Sequence, residues 1–231
     1  MPRKIDKREL IQSKPMKKKK QCLSESLVNK SSKNSLKTKD INNEIKIFCN
    51  TLETEPNYFL AFAEEVKNSK ISDVNVSVIK TQKKGGKDPL YAVNYAVEHR
   101  ENCKNVWVVF DKDHYNIEEA ITLANQENIK VAWSNECFEL WILMHFNLIS
   151  TSLTREDCFK KVQGVLKKNC NIDYSKNNKE IYKIIKDKTK MAISHSKYQH
   201  QKMKKDGVPP NKANPCNTVY ELAEILLKRI L

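Results

Sequence analysis

A chain of 231 residues with 39% hydrophobic side chains can bury the core of one sizeable domain, or at most of two small ones. Its net charge of +14 favours a polyanionic partner, nucleic acid or an anionic membrane surface, and says nothing about fold. Its four glycines leave no room for a Walker loop or a GxGxxG dinucleotide fingerprint, and its seven cysteines, without a short paired spacing, argue against a zinc ribbon or a disulfide scaffold.

The charge is concentrated at the start. Residues 1–40 hold thirteen lysines and arginines against four acids, so nine of the fourteen net positive charges lie there. Few large apolar residues accompany them, and the segment cannot repay its ordering entropy; it reads as a mobile basic arm. A solvated tail and an arm that tracks phosphates through Lys17, Lys18, Lys19 and Lys20 both fit this composition. No apolar stretch follows the basic start, so no signal peptide is expected, and the longest apolar runs are too short to span a bilayer. A cytoplasmic protein with reduced thiols and no membrane partner is the expectation.

After the arm, "EIKIFC" (44–49) reads as an entering strand. In "TEPNYFLAFAEEV", Pro56 suits a first helical position, Thr54 or Glu55 can cap, and Phe59, Phe62, Ala63 and Val66 share one face. "DVNVSVIK" (73–80) alternates as a strand and leads into the basic loop "TQKKGGKDP". There Lys83, Lys84 and Lys87 could touch phosphates or simply line a solvated turn. Asp88-Pro89 opens a helix with Leu90, Val93, Tyr95 and Val97. "NVWVVF" (105–110) is a continuous apolar run, the mark of a central parallel strand covered on both faces. "NIEEAITLANQEN" is helical and "IKVAWS" a short strand. Strands alternating with helices predict a doubly wound, mainly parallel α/β sheet. From "ECFELWILMHF" (136–146) onward the pattern is helical. The expected organisation is an arm over 1–40, an α/β core over 41–147, and a helical extension over 148–231 packed on that core.

Asp111 and Asp113 stand at the carboxyl end of the most apolar strand, the edge of an open α/β sheet where ligands sit. Two carboxylates at this spacing can converge on one hard cation, Mg²⁺ or Mn²⁺. The alternative is that Asp113 caps the following loop and Asp111 faces solvent. Glu139, amid Phe138, Leu140 and Trp141, fits a site carboxylate and a helix-surface glutamate equally. His145, between Met144 and Phe146, reads as a structural histidine. There is no GxSxG elbow and no HExxH helix.

Four strings occur in the order found in a known family. "CNTLETEPNYF" (49–59) resembles the "CEGxxTEPNYF" signature of the RloB-like proteins, which include the second component of the AbiL abortive-infection systems. "VWVVFDKD" (106–113), "SNECFELWILMHF" (134–146), close to "SNPCFELWLLLHF", and "NPCNTV" (214–219), close to "NPST.V", follow in sequence. The basic "MPRK" start is also similar. The resemblance covers residues 44–231 and implies a Toprim-like α/β fold working beside an ATPase partner in anti-phage defence. It further implies that a glutamate after the first strand and the paired aspartates hold Mg²⁺ for phosphodiester chemistry. Asp111 and Asp113 match the pair. The family's first glutamate does not match, since "CEG" is here Cys49, Asn50 and Thr51; an asparagine offers neither negative charge nor a general base. Glu53 or Glu55, one helical entry later, can substitute in part, and Glu55, inside the matched "TEPNYF", is the first candidate.

The leading expectation is a Mg²⁺-dependent, Toprim-like nuclease of abortive infection, acting on RNA (tRNA included) or DNA with Asp111, Asp113, Glu55 and Glu139 at its centre. The alternative is a catalytically degenerate Toprim-like subunit that binds nucleic acid or docks on the ATPase without cutting. A basic nucleic-acid-binding protein with structural aspartates is the third reading. A homo-oligomer stays open.

Overall fold

The computed structural model describes residues 43–69, 71, 73–81 and 88–231. The basic arm and the "KKGGK" loop, with Lys17, Lys18, Lys19, Lys20, Lys83, Lys84 and Lys87, lie outside the described residues. β1 (Glu44–Cys49), α1 (Thr54–Asn68), β2 (Asn75–Lys80), α2 (Pro89–His99), β3 (Asn105–Asp111), α3 (Glu118–Gln126) and β4 (Lys130–Asn135) alternate along the chain. The strands pair in parallel in the order β2-β1-β3-β4. Then come α4 (Glu139–Met144), α5 (Arg155–Cys170), α6 (Ile181–Ile185) and α7 (Thr189–Lys205). A two-residue strand, β5 (Cys216–Asn217), runs antiparallel to β4, and α8 (Val219–Leu227) follows it.

The apolar runs of the central strands serve two cores because successive side chains leave opposite faces of a sheet. Ile45, Ile47 and Cys49 of β1 join Trp107 and Val109 of β3 on one face. There α1, α4, α5, α6 and α8 cover them. Phe48 of β1 and Val106, Val108 and Phe110 of β3 face the other way, beneath small residues of α2 (Ala92, Ala96) and α3 (Ala120, Ala124). Helices on both faces of a mostly parallel sheet make this the doubly wound α/β arrangement, consistent with a Toprim-like fold.

Two of the matched strings meet in the first core. Tyr58, from "TEPNYF", is fully buried with edge-on contacts to Phe138 (5.5 Å), Trp141 (6.3 Å) and His145 (6.2 Å), all from "SNECFELWILMHF". Tyr182 of α6 closes the cluster, stacked on Phe62 at 4.5 Å. His145 is structural, as expected. Its Nδ1 lies 2.9 Å from the Trp141 carbonyl oxygen, and burial lowers its pKa to about 4, which keeps the ring neutral.

Two local expectations are corrected. Thr54 and Glu55 do not cap α1; both are buried inside its first turn, and Glu53 at the cap position makes no side-chain bond. Other partners take them, one local and one distant. The Thr51 hydroxyl donates to Glu55, and the Thr54 hydroxyl donates to the Lys176 carbonyl oxygen at 3.3 Å. The second correction is β5, which interrupts a stretch read as wholly helical. Two residues are too few to show a strand period, and their pairing comes from across the sheet: Asn217 opposite Ser134 and Cys216 opposite Asn135. Thr218 reinforces it, its hydroxyl accepting from the Trp133 N–H at 3.0 Å. By contrast Asp88 caps α2 as read, accepting from the Leu90 N–H at 2.9 Å.

Among the described residues no helix is long and apolar enough to cross a membrane.

Candidate functional site

β1 and β3 are neighbours in the sheet, so the loops leaving their carboxyl ends lie side by side. Between them opens a cavity of about 440 Å³. It is lined by Asn50 and Glu55 from the first loop and helix, Asp111 from the end of β3 and Asp113 from the loop after it, Glu139 from the start of α4, Arg155 from the start of α5, and Lys176. The four carboxylates singled out in the sequence therefore share one cavity, although they come from three separate segments.

Backbone bonds strap the segment after β3 to the end of β4. The Lys112 N–H donates to the Ser134 carbonyl oxygen (2.8 Å) and the Asp113 N–H to that of Glu136 (3.1 Å). Asp113 takes a left-handed backbone (φ 44°), which aspartate adopts more readily than most residues. Asp111 does not face solvent: it is 7% exposed, and Glu55 and Glu139 are each 2% exposed. Glu139 is thus no helix-surface residue. It accepts from the Tyr174 hydroxyl (2.9 Å) and has Lys176 Nζ at 3.7 Å.

Burial disfavours ionisation of Glu55 and Asp111, and neighbouring carboxylates add repulsion. Glu55 is pushed up to about 7, first by burial and then by Glu139, against the opposing effects of Thr51 and Arg155. Asp111 is raised well above the usual aspartate range by burial and then by Glu55 and Glu139. Glu55 Oε1 and Asp111 Oδ1 are buried without a hydrogen-bond partner. An unsatisfied buried acceptor costs roughly 1–3 kcal/mol, more when charged, so the site favours uptake of a proton or a cation.

Arg155 supplies positive charge. One guanidinium nitrogen is 3.9 Å from Asp111 Oδ2 and the other ion-pairs closely with Asp113. Thr154 and Asp157 form a capping box that starts α5, and the Asn214 side chain bonds both the N–H and the carbonyl of Leu153 just before it. A cation in the first turn opposes the helix dipole, typically by about 0.3–1 kcal/mol, a cost that the two aspartates offset. Arg155, Lys176 and Tyr174 were missed in the sequence. The capping box could have placed Arg155 in a helical first turn, but no spacing links Lys176 or Tyr174 to the acids.

The donor chemistry fits a hard divalent cation, with Glu55, Asp111 and Glu139 as oxygen ligands and two unpartnered oxygens among them. A ready-made cage is another matter. Among the described residues no three histidine, cysteine, aspartate or glutamate side chains stand close enough together to hold a metal as they are. Arg155 meanwhile occupies both aspartates.

A family model for RloB-like proteins matches residues 45–226. The chain belongs to the RloB-like family. The RloB-like match takes in every side chain gathered around the cavity, including Arg155 and Lys176. No curated protein and no solved structure matches the chain. At the position where the resemblance to RloB-like proteins implies a first glutamate, Asn50 is buried at the end of β1 and lines the cavity.

Glu55 gives this site a measurable pH signature. Its folded pKa, about 7, lies above the ordinary 4.5, so the folded state holds the proton more tightly than the unfolded chain. Stability of the metal-free protein is therefore greatest below the ordinary value and declines as pH rises towards 7. The loss reaches up to about 3 kcal/mol by linkage, and Asp111 acts in the same direction. Denaturant unfolding in a chelator from pH 4.5 to 8 should show this decline, and Glu55→Gln should flatten it. Equal pH slopes for the two proteins would disprove it.

Proposed function

We propose that this RloB-like chain is a divalent-metal-dependent phosphodiesterase, a nuclease effector of anti-phage abortive infection. The observation that carries the reading is the pair of buried carboxylates, Glu55 and Asp111, each with an unpartnered oxygen at the carboxyl edge of adjacent parallel strands. Asp111, Glu55 and Glu139 would hold Mg²⁺ or Mn²⁺. When bound, the cation supplies a Lewis acid and a water acidified for attack on a phosphodiester. The protein's own contribution is placement. Thr51 orients Glu55, Tyr174 orients Glu139, and the strapped turn after β3 presents Asp113 beside Asp111. The net charge of +14 favours a nucleic-acid substrate, RNA or DNA. Family membership is consistent with a defence role; work beside an ATPase partner extends the resemblance. Six free thiols among the described residues suit a reducing compartment such as the cytoplasm.

A second reading, a degenerate subunit that binds without cutting, is favoured by Asn50 and by the lack of a ready-made cage. One experiment separates them: incubation of RNA and DNA, single- and double-stranded, with wild type and Asp111→Ala in Mg²⁺, Mn²⁺ or a chelator. Cleavage that needs the cation and Asp111 is the expected outcome. No cation-dependent cleavage by wild type leaves the binding subunit, and higher activity in Asn50→Glu marks a weakened centre.

A further inference from the structure

We infer that Arg155 is a two-position side chain: counter-ion to Asp111 and Asp113 while no divalent cation is bound, and the group that takes the substrate's phosphate once one is. The inference rests on the metal-dependent reading above and assigns a role to a residue outside the carboxylate set.

The geometry of Arg155 carries it. Its guanidinium ion-pairs closely with Asp113 and has its other nitrogen 3.9 Å from Asp111 Oδ2, so it stands in front of the inner, unpartnered oxygens Asp111 Oδ1 and Glu55 Oε1. A cation drawn to those inner oxygens would stand beside the guanidinium, and repulsion between the two positive groups favours moving the half-exposed one. The side chain is free to move: it is 43% exposed, against 6% for that of Asp111, so it lies between the buried acids and solvent. Its backbone stays in place, because the capping box of Thr154 and Asp157 and the clasp of Asn214 on Leu153 fix the start of α5. Displacement is therefore a rotation of one side chain about an anchored Cα. From the cavity mouth a planar fork of donors has one natural new partner, the phosphate group of an incoming strand, which guanidinium binds through paired hydrogen bonds.

Charge favours the exchange. Glu55, Asp111, Asp113 and Glu139 face only Arg155 and Lys176 among the cavity-lining residues, with Lys176 engaged on Glu139. A divalent cation neutralises the inner acids better than the half-exposed guanidinium, whose release leaves a positive charge at the mouth for the substrate.

The test uses the full chain and two probes. The first is Mn²⁺ alone, titrated calorimetrically into wild type, Arg155→Gln, Arg155→Lys and Asp111→Asn. The second is a labelled oligonucleotide, followed by anisotropy with and without Ca²⁺. Removing the internal competitor should tighten Mn²⁺ binding by about tenfold in Arg155→Gln, while Arg155→Lys stays near wild type. Arg155→Gln should bind the oligonucleotide about tenfold more weakly in Ca²⁺ and equally well without it, because in wild type the guanidinium is then held on the aspartates. Unchanged or weaker Mn²⁺ binding in Arg155→Gln overturns the inference, as does an equal loss of oligonucleotide affinity with and without Ca²⁺. If Mn²⁺ binding is lost in Asp111→Asn yet identical in wild type and Arg155→Gln, the role of Arg155 fails and the metal reading stands. If neither wild type nor Arg155→Gln binds Mn²⁺, both fall.

Discussion

Replacement of Asp111 by asparagine should lower cation-dependent phosphodiester cleavage by on the order of 10²–10³-fold, while the metal-free protein melts at a higher temperature than wild type. The two effects have one cause. Asp111 is buried beside Glu55 and Glu139, and both the lost hydration and the repulsion oppose its charge. Without a cation, the neutral amide is the less costly occupant. With a cation, the carboxylate supplies a charged oxygen that the amide replaces with a neutral one. The ion pair given up is small: Arg155 is half-exposed, sits 3.9 Å away, and keeps Asp113 as its partner. Such pairs contribute about 0–1 kcal/mol. Turnover and thermal melting in a chelator, measured on the same preparations, check both halves. A variant that keeps more than about a tenth of wild-type turnover would remove Asp111 from the metal set.

Trp141→Ala should cost about 3–5 kcal/mol, a large share of the 5–15 kcal/mol typical of a folded domain. The indole is fully buried, edge-on to His145 at 4.8 Å and to Tyr58, in a core with no exposed side from which a truncated site could refill. It also anchors α4, a six-residue helix too short to hold itself together, every residue of which is buried. Glu139 is the first residue of that helix, so loss of the anchor loosens a site carboxylate as well as the core. Activity should fall even at temperatures where the variant is folded. The denaturant midpoint against wild type, at unchanged slope, gives the stability half; a loss below about 1 kcal/mol would mean that the cavity collapses at little cost.

The parallel sheet was legible because its signal is local. "VWVVF" is apolar on both faces, and the helices around it begin at Asp88-Pro89 or carry an evident stripe. Asp111 and Asp113 were legible for the same reason, as acids placed directly after a buried strand. Glu139 was not decidable, since α4 is buried on every side and shows no polar face to contrast with an apolar one. The pairing of Arg155 and Lys176 with the acids left no trace, because an ion pair between distant segments has no period. Thr54 and Glu55 misled because residue types that cap helices are also good hydrogen-bonding partners elsewhere, and here the nearby Thr51 and the distant Lys176 carbonyl claimed them.

The fifth strand has a consequence for the order in which the molecule can be made. β4 leaves the ribosome long before Cys216 and Asn217 do, and until they arrive its outer edge offers unpaired backbone groups to any passing strand. The sheet therefore cannot be completed as the chain is drawn out from one end; it waits on two late residues and on Thr218, which clasps Trp133 on both its N–H and its carbonyl. A nascent chain stalled between Asn135 and Lys176 would carry an open edge beside a half-built acidic pocket, and one stalled between Lys176 and Asn217 an open edge alone.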